Sequence, residues 1–200
     1  MTILALDTTS EYGSAALRRD GQTIAELRMH SHEGFSPLIF PALERLLNTA
    51  GVRLEEIDCF AAASGPGSFT GVRVGLSTVK GLAEATGRKV AGVSNLRALS
   101  VYGTKPRRAV VLDARRGEVY AAVYNEALEA VVGEAALKFP DWLSGIPAGD
   151  YELVTNAERS HGLAAAVALC AERTQWVDPA ALDANYVRRS DAELFWKESS

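Results

Sequence analysis

A glycine-rich loop, Gly65–Gly71, precedes a predicted helix and is the most conspicuous candidate for binding chemistry in the sequence. Glycines before a helix N-terminus expose backbone N–H groups, and the helix dipole favours an anion there. The loop is not a Walker A motif, because no Gly-Lys-Ser/Thr follows it. A tight strand-to-helix turn capped by Ser68 or Thr70 explains the same residues, so the sequence leaves both interpretations open.

Two aspartates each end an apolar strand and begin a returning hairpin. Setting LDTTSEYGSAAL beside LDARRGEVYAAV aligns Asp7 with Asp113 and indicates an internal duplication. Two unrelated strand–turn–strand units remain the alternative. The second turn carries the long side chains of Arg115 and Arg116, so productive ATP hydrolysis is not expected. Weak nucleotide or anion binding is the most that we predict, at Asp7, Thr8, Thr9, Gly65 and Gly67.

The sequence gives less support for a metal site or for a catalytic nucleophile. His30 and His32 would share one face of a strand, with Glu33 adjacent, but polar loop residues before a helix are the favoured interpretation. Ser64 and Ser68 lack an identifiable His–Asp pair, and the surrounding sequence is not the G-x-S-x-G elbow. We therefore predict no catalytic residue and no metal site.

The composition of the chain limits which classes of protein it could belong to. The chain has 200 residues, 48% of them hydrophobic, and a net charge of −4, which is typical of a globular protein and argues against binding nucleic acid by itself. No signal-peptide pattern or apolar run of about 18 residues is present, so no membrane association is expected. Cys59 and Cys170 have no ligand-like spacing and are predicted to be buried thiols, which favours the cytoplasm.

The elements that must position these residues are strand, strand, strand, helix, strand, helix, strand and helix in the first half, and the second half partly repeats them. This order resembles the ribonuclease-H-like module of the actin and Hsp70 (ASKHA) superfamily, so we predict a two-lobed α/β fold. The predicted domains are residues 1–104 and 105–200, with a last helix at about 190–198 that could return to the first lobe.

Two predicted helices, Ser36–Ala50 and Phe69–Thr86, are apolar over a wider arc than one packed face needs. The second also carries a stripe of small residues that would permit close approach of another backbone. Either the domain's own sheet covers these surfaces, or a second protein does. The residues predicted to form a partner or dimer interface are Ile39, Leu43, Leu46, Val72, Leu76 and Val79.

Several segments resemble the TsaB (YeaZ) family, the bacterial paralogues of the TsaD/Kae1/Gcp family. They are ILALDTTSEYGSAAL, SPLIFPALERLL, SGPGSFTGVRVGLSTVKGLA, LDARRGEVYAAVY and NYVRRSDAELFW. TsaD-type catalytic subunits carry a His-x-x-x-His metal pair after the strand that follows the second helix. Asn95 and Leu99 stand at those positions here, and leucine cannot ligate a metal.

The resemblance implies a non-catalytic accessory subunit that acts with TsaD and the P-loop ATPase TsaE. That machinery transfers a threonylcarbamoyl group from threonylcarbamoyl-AMP to N6 of the adenosine 3′ of the anticodon in tRNA. It further implies a homodimer in the absence of TsaD, contact with tRNA only through the complex, and no cofactor of its own, since TsaE uses the ATP. An independent actin-like ATPase or kinase is the alternative.

Overall fold

The computed structural model describes residues 1–156 and 162–187, which form two mixed β-sheets and their helices. The first sheet has five strands: β1 Thr2–Asp7, β2 Tyr12–Arg19, β3 Gln22–His30, β4 Cys59–Ala63 and β5 Lys89–Val93. The second has four: β6 Arg108–Asp113, β7 Glu118–Tyr124, β8 Ala130–Lys138 and β9 Glu152–Thr155. The helices are α1 Ile39–Ala50, α2 Phe69–Thr86, α3 Asn95–Ser100, α4 Phe139–Gly145 and α5 Ala164–Ala171.

Strand order confirms the predicted duplication. The first sheet runs β3-β2-β1-β4-β5 and the second β8-β7-β6-β9, so the second sheet repeats the first four positions of the first. β1 pairs antiparallel with β2 and parallel with β4, and β6 pairs in the same way with β7 and β9. Asp7 and Asp113 are the last residues of β1 and β6, as the sequence alignment predicts. The protein therefore has the predicted two-lobed, duplicated ribonuclease-H-like fold of the actin-like class.

The helices join the two halves. α3 packs on β6 and β7 of the second sheet, whereas α5, which follows the second sheet in the chain, packs on β1, β2 and β4 of the first. α3 and α5 also contact each other, and one hydrophobic core includes residues of both sheets. The domain boundary predicted at residues 104/105 thus separates the strands, and it stays a prediction because these helices pack across it.

The position of α5 follows from hydrogen bonds at its N-terminus. The Leu163 N–H donates to Asp7 Oδ2 at 2.7 Å, and the Ala164 N–H donates to Ser14 Oγ at 2.9 Å. Both acceptors belong to the first sheet, and a carboxylate is favourable beside a helix N-terminus. The small, alanine-rich surface of α5 then fits closely against the strands.

The sequence pattern predicts a helix at Phe69–Thr86 and strands at Lys89–Val93 and Glu118–Tyr124, and these match α2, β5 and β7. Gly51 ends α1 in the left-handed conformation (φ 62°). Ser36 followed by Pro37 is a sequence pattern that predicts the N-cap of this helix, and the prediction is wrong. Residues Ser36–Leu38 form a turn whose Leu38 N–H donates to the Phe35 carbonyl, and α1 begins only at Ile39. The predicted helix at 190–198 lies outside the described residues. The sequence pattern also predicts a helix over residues 158–173, and the start of that segment lies outside the described residues too.

Two further sequence expectations concern solvent access and membranes. Cys59 and Cys170 are buried, as predicted, and burial raises the pKa of Cys59 to about 12 and that of Cys170 to about 11. Both thiols are therefore protonated and unreactive near neutral pH. Within residues 1–156 and 162–187, every helix is too short or too polar to cross a membrane.

The glycine stripe of α2 mostly meets the protein's own first lobe. A Cβ at Gly71 would lie 2.0 Å from the Thr8 carbonyl oxygen, and a Cβ at Gly75 would lie 2.7 Å from Thr8 Oγ1. A Cβ at Gly81 would meet nothing within 4 Å. Internal packing, one of the two interpretations of this stripe, therefore explains the first two glycines and leaves Gly81 on the outer side.

The different surroundings of Gly71 and Gly81 predict opposite effects of an alanine substitution on stability. Gly71→Ala should destabilise the fold by about 2 kcal/mol or more, because backbone must move to relieve the overlap with Thr8. Gly81→Ala should stabilise it by about 0.5–1 kcal/mol, since alanine is the better helix former and has free space. Urea unfolding of both variants measures the two values, and equal effects would contradict the assigned packing.

Candidate functional site

The predicted phosphate-binding aspartate, Asp7, is buried at the C-terminal end of β1 and is fully engaged by protein donors. The Thr9 N–H and hydroxyl donate to Asp7 Oδ1 at 2.9 and 2.6 Å, and the Leu163 N–H donates to Oδ2 at 2.7 Å. Burial raises the pKa of Asp7, and the hydrogen bonds from Thr9 and Leu163 oppose that rise. Both carboxylate oxygens thus serve as internal acceptors.

The glycine-rich loop closes onto the same turn. The Ser68 N–H donates to the Thr9 carbonyl at 2.7 Å, and the Thr8 hydroxyl donates to the Gly71 carbonyl at 2.7 Å. A Cβ at Gly67 would lie 2.8 Å from both Cβ and the carbonyl oxygen of Thr9. The glycines therefore allow the loop to approach the turn closely, and Ser68 caps α2 by accepting the Gly71 N–H. These contacts support the tight-turn interpretation of the loop.

Asn95 completes this network from the start of α3. Its Nδ2 donates to Thr9 Oγ1 at 2.5 Å, and its Oδ1 accepts the Gly65 N–H at 3.0 Å. The residues predicted to bind an anion are therefore held by internal contacts, and of them only Gly67 is exposed. The name Asp7 hub is used below for Asp7, Thr8, Thr9 and Asn95.

Asp113, the counterpart of Asp7 in the second half, has a different environment. Its side chain is exposed, and its Oδ1 accepts the Arg115 N–H at 2.7 Å. Arg115 and Arg116 occupy the left-handed region, with φ of 65° and 56°, and both are exposed. The two aspartates share a position in the repeat but do not share a chemical role.

The positions corresponding to the metal pair of the resemblance are both internal. Leu99 is fully buried in the core shared by the two sheets, and Asn95 is held in the Asp7 hub. Beside them, Glu134 of β8 accepts hydrogen bonds from Tyr124 Oη at 2.6 Å, from Asn185 Nδ2 at 2.7 Å and from the Ser94 hydroxyl. Sequence reasoning missed Glu134, because nothing in its local sequence distinguishes it from a surface glutamate.

The six residues predicted to contact a partner need correction. Ile39, Leu43, Leu46, Val72, Leu76 and Val79 are all buried in the chain's own core, between the first sheet and helices α1 and α2. The reason is that the most regular apolar stripe of each helix faces the sheet. Each of these side chains is at most 6% exposed, and of the six only Ile39 also borders a surface groove. The remaining part of each wide arc faces outward.

That remaining part forms a groove between the N-terminal halves of α1 and α2. Phe40 is 61% exposed and Phe69 is 48% exposed, and the Arg73 guanidinium lies 3.7 Å from the centroid of the Phe69 ring. Tyr186 packs near Phe69, with ring centroids 6.0 Å apart. The groove has a volume of about 480 Å³, and its lining residues are Ser36, Ile39, Phe40, Phe69, Thr70, Arg73, Val74, Ser77 and Thr78. We call it the α1–α2 groove.

The environments of Asp7 and Asp113 predict that the same substitution affects stability differently at the two positions. Asp7→Asn places an amide NH₂ against either the Thr9 or the Leu163 donors, so one buried contact becomes donor to donor. We expect the free energy of unfolding to fall by about 1–3 kcal/mol. Asp113→Asn, at the matching exposed position, should change it by less than about 0.5 kcal/mol. Urea unfolding measures the free energy of unfolding of both variants, and an equal decrease in the two would contradict the structural role of Asp7.

Comparison with known proteins gives consistent results. The model of the family "TsaD: tRNA N6-adenosine threonylcarbamoyltransferase" matches residues 29–175. The Bacillus subtilis protein named tRNA threonylcarbamoyladenosine biosynthesis protein TsaB is 36% identical over 72% of this chain, and its Escherichia coli namesake is 38% identical over 62%. The aligned segments cover 65% and 55% of those relatives' lengths.

Solved structures agree. The solved structure of YeaZ from Pseudomonas aeruginosa superposes with a TM-score of 0.74 at 28% identity, covering 92% of this chain and 99% of that one. The resemblance recognised in the sequence motifs is thereby confirmed by two independent kinds of similarity. The chain belongs to the TsaD family, and within that family it resembles the TsaB (YeaZ) proteins.

Proposed function

We propose that this chain is a non-catalytic subunit of the machinery that forms threonylcarbamoyladenosine in tRNA. In this role it binds TsaD, and with TsaE it supports transfer of the threonylcarbamoyl group from threonylcarbamoyl-AMP to N6 of the adenosine 3′ of the anticodon. The tRNA is contacted only within the assembly, consistent with the chain's net charge of −4. The names of its relatives place those relatives in threonylcarbamoyladenosine biosynthesis.

The main support for a non-catalytic role comes from the structural positions of Asn95 and Leu99. In TsaD-type catalytic subunits these positions are expected to supply two metal-binding histidines. Here Leu99 fills the core, and the Asn95 amide links Gly65 to Thr9. An aliphatic side chain has no lone pair for a metal, and the asparagine amide is already engaged on both of its atoms. The residues support packing rather than catalysis.

The α1–α2 groove is the surface that we propose for TsaD. It combines two exposed phenylalanines with an arginine stacked on one of them, and aromatic and arginine side chains are enriched in the energetic centres of protein interfaces. The groove alone is smaller than a stable interface, which buries about 1,200–2,000 Å², so the exposed flanks of α1 and α2 would also take part. In the absence of TsaD, two copies of the chain pair through the same groove.

The docking proposal predicts the effect of a charge at its aromatic centre. Phe40→Glu should weaken binding to TsaD by about 30-fold or more, because a carboxylate would be placed in the apolar centre of the interface. Phe69→Ala should weaken it by about tenfold or more, because the interface loses the aromatic ring on which Arg73 stacks. Leu143→Glu on α4 is the matched control, since Leu143 is 51% exposed but lies away from the groove. Isothermal titration calorimetry with purified TsaD measures the three affinities.

Unchanged affinity in both phenylalanine variants, or an equal loss in the Leu143 control, would reject this groove as the docking surface. All three side chains are exposed, so the fold should tolerate the substitutions, which circular dichroism verifies. A charge at Leu76 would not be an informative test. That side chain is in the core, and its substitution would disrupt folding rather than docking alone.

Reconstitution tests the non-catalytic role itself. The purified chain should transfer no threonylcarbamoyl group to tRNA, whereas adding it to TsaD and TsaE should raise transfer well above the level without it. Incorporation of radiolabelled threonine into tRNA measures the reaction. Transfer by the isolated chain would reject the proposal, and so would a full rate from TsaD and TsaE alone.

Titration calorimetry with Mg-ATP distinguishes the proposed accessory role from the alternative, an independent actin-like ATPase. We expect no micromolar binding to the isolated chain, because internal donors hold both Asp7 oxygens and two of the loop glycines, Gly67 and Gly71, face Thr9 and Thr8. Micromolar binding that Asp7→Ala abolishes, in a variant shown to remain folded, would favour the ATPase instead.

A further inference from the structure

A cluster of metal-binding side chains lies at the open end of the β2–β3 hairpin, away from the Asp7 hub. Glu11, His30 and His32 each present one ligand atom, and these three atoms lie within 4.8 Å of one another. His32 Nδ1 is 2.8 Å from a Glu11 carboxylate oxygen, and the His30 and His32 rings meet edge to face with centroids 4.7 Å apart. All three side chains are exposed to solvent.

We propose that Glu11, His30 and His32 bind one divalent transition-metal ion of the zinc class. Two imidazoles and one carboxylate are a donor set that suits Zn²⁺, while Mg²⁺ and Ca²⁺ prefer oxygen ligands alone. Three protein ligands leave the fourth tetrahedral position to water.

The backbone holds the ligands in place before any ion arrives. Tyr12 pairs with His30 across the hairpin, and the Ser31 N–H donates to the Glu11 carbonyl at 3.0 Å. The Tyr12 ring packs against the His30 ring, with centroids 4.8 Å apart. His30 ends β3 and His32 follows it in a bend, and the edge-to-face contact of their rings places the two side chains together. The three ligands therefore come from two chain segments that hydrogen bonds keep together.

The distances between the three ligand atoms require only a small rearrangement of the side chains to hold a zinc ion. Ligands about 2.0–2.2 Å from a tetrahedral zinc ion lie about 3.3 Å from each other. The His32–Glu11 pair, at 2.8 Å, must open by about 0.5 Å to reach that separation, and the wider separations of up to 4.8 Å must close, both by rotation of exposed side chains. An ion at the centre would cross-link the start of β2 to the segment that follows β3.

The sequence alone associates the histidines with Glu33, the adjacent carboxylate, and favours polar loop residues without a metal. The structure brings Glu11, the residue that precedes β2, into the cluster instead, because the Ser31 N–H donates to the Glu11 carbonyl beside the antiparallel β2–β3 pair. Glu33 is not one of the three clustered residues, and its N–H donates to Ser31 Oγ. A simple exposed ion pair between His32 and Glu11 is the competing explanation, and it requires no metal affinity.

Titration calorimetry of the full chain with ZnCl₂, and separately with MgCl₂, tests the proposal. We expect one Zn²⁺ per chain, no measurable Mg²⁺ binding, and a zinc-dependent rise in the melting temperature. His30→Ala and His32→Ala should each weaken zinc binding by about tenfold or more and abolish that rise. Because both side chains are exposed, the variants should fold, and circular dichroism without zinc verifies it.

Two controls make the result specific. Glu33→Gln removes a neighbouring carboxylate outside the cluster and should leave zinc affinity unchanged, whereas Glu11→Gln should weaken it. His161, the remaining histidine of the three in the sequence, lies outside the described residues, and His161→Ala should also leave affinity unchanged. Absence of zinc binding by the wild-type chain would overturn the proposal, as would undiminished binding by a His30→Ala/His32→Ala double variant.

Discussion

The buried carboxylate of Asp7 is the interaction on which most of this structure depends. Its two oxygens accept hydrogen bonds from Thr9, in the turn after β1, and from Leu163, at the start of α5. A buried carboxyl group of this kind is tolerated only when hydrogen-bond donors surround it, so the elements that supply those donors cannot move independently. Thr9 extends the network to Ser68 and Asn95, so the ends of β1, α2, α3 and α5 meet at one point.

This constraint also decides what the chain can do. In a nucleotide-binding protein, the turn after the first strand and a glycine-rich loop would leave their N–H and hydroxyl groups free for phosphate. Here Thr8 and Thr9 use those groups within the protein, and Gly71 approaches Thr8 too closely for any side chain. The exposed aromatic rings of α1 and α2 lie on the outer surface, away from the β1 turn, and it is there that we propose a partner binds.

The elements that the sequence predicted well have strong local signals. α2 is bounded by the Ser68 cap and by Gly87, and β5 is a short apolar run between turns. The segment between β7 and β9 has mixed alternation and no strong cap, and its elements β8 and α4 went unpredicted. Ser36 has the side chain of a good cap, but the preceding Phe35 carbonyl forms a turn that delays the helix to Ile39.

By itself the sequence determined the duplicated fold, the buried thiols and the family resemblance, because strand patterns, glycine punctuation and motif spacing are local properties of the chain. Tertiary structure alone decided which side of each wide helix faces water, since a sheet covers one apolar stripe and leaves another open. It therefore buried Leu76 and exposed Phe40. It also brought Glu11 to His32 and Asp7 to Leu163, because contacts between distant residues depend on strand pairing and helix packing that no local pattern encodes.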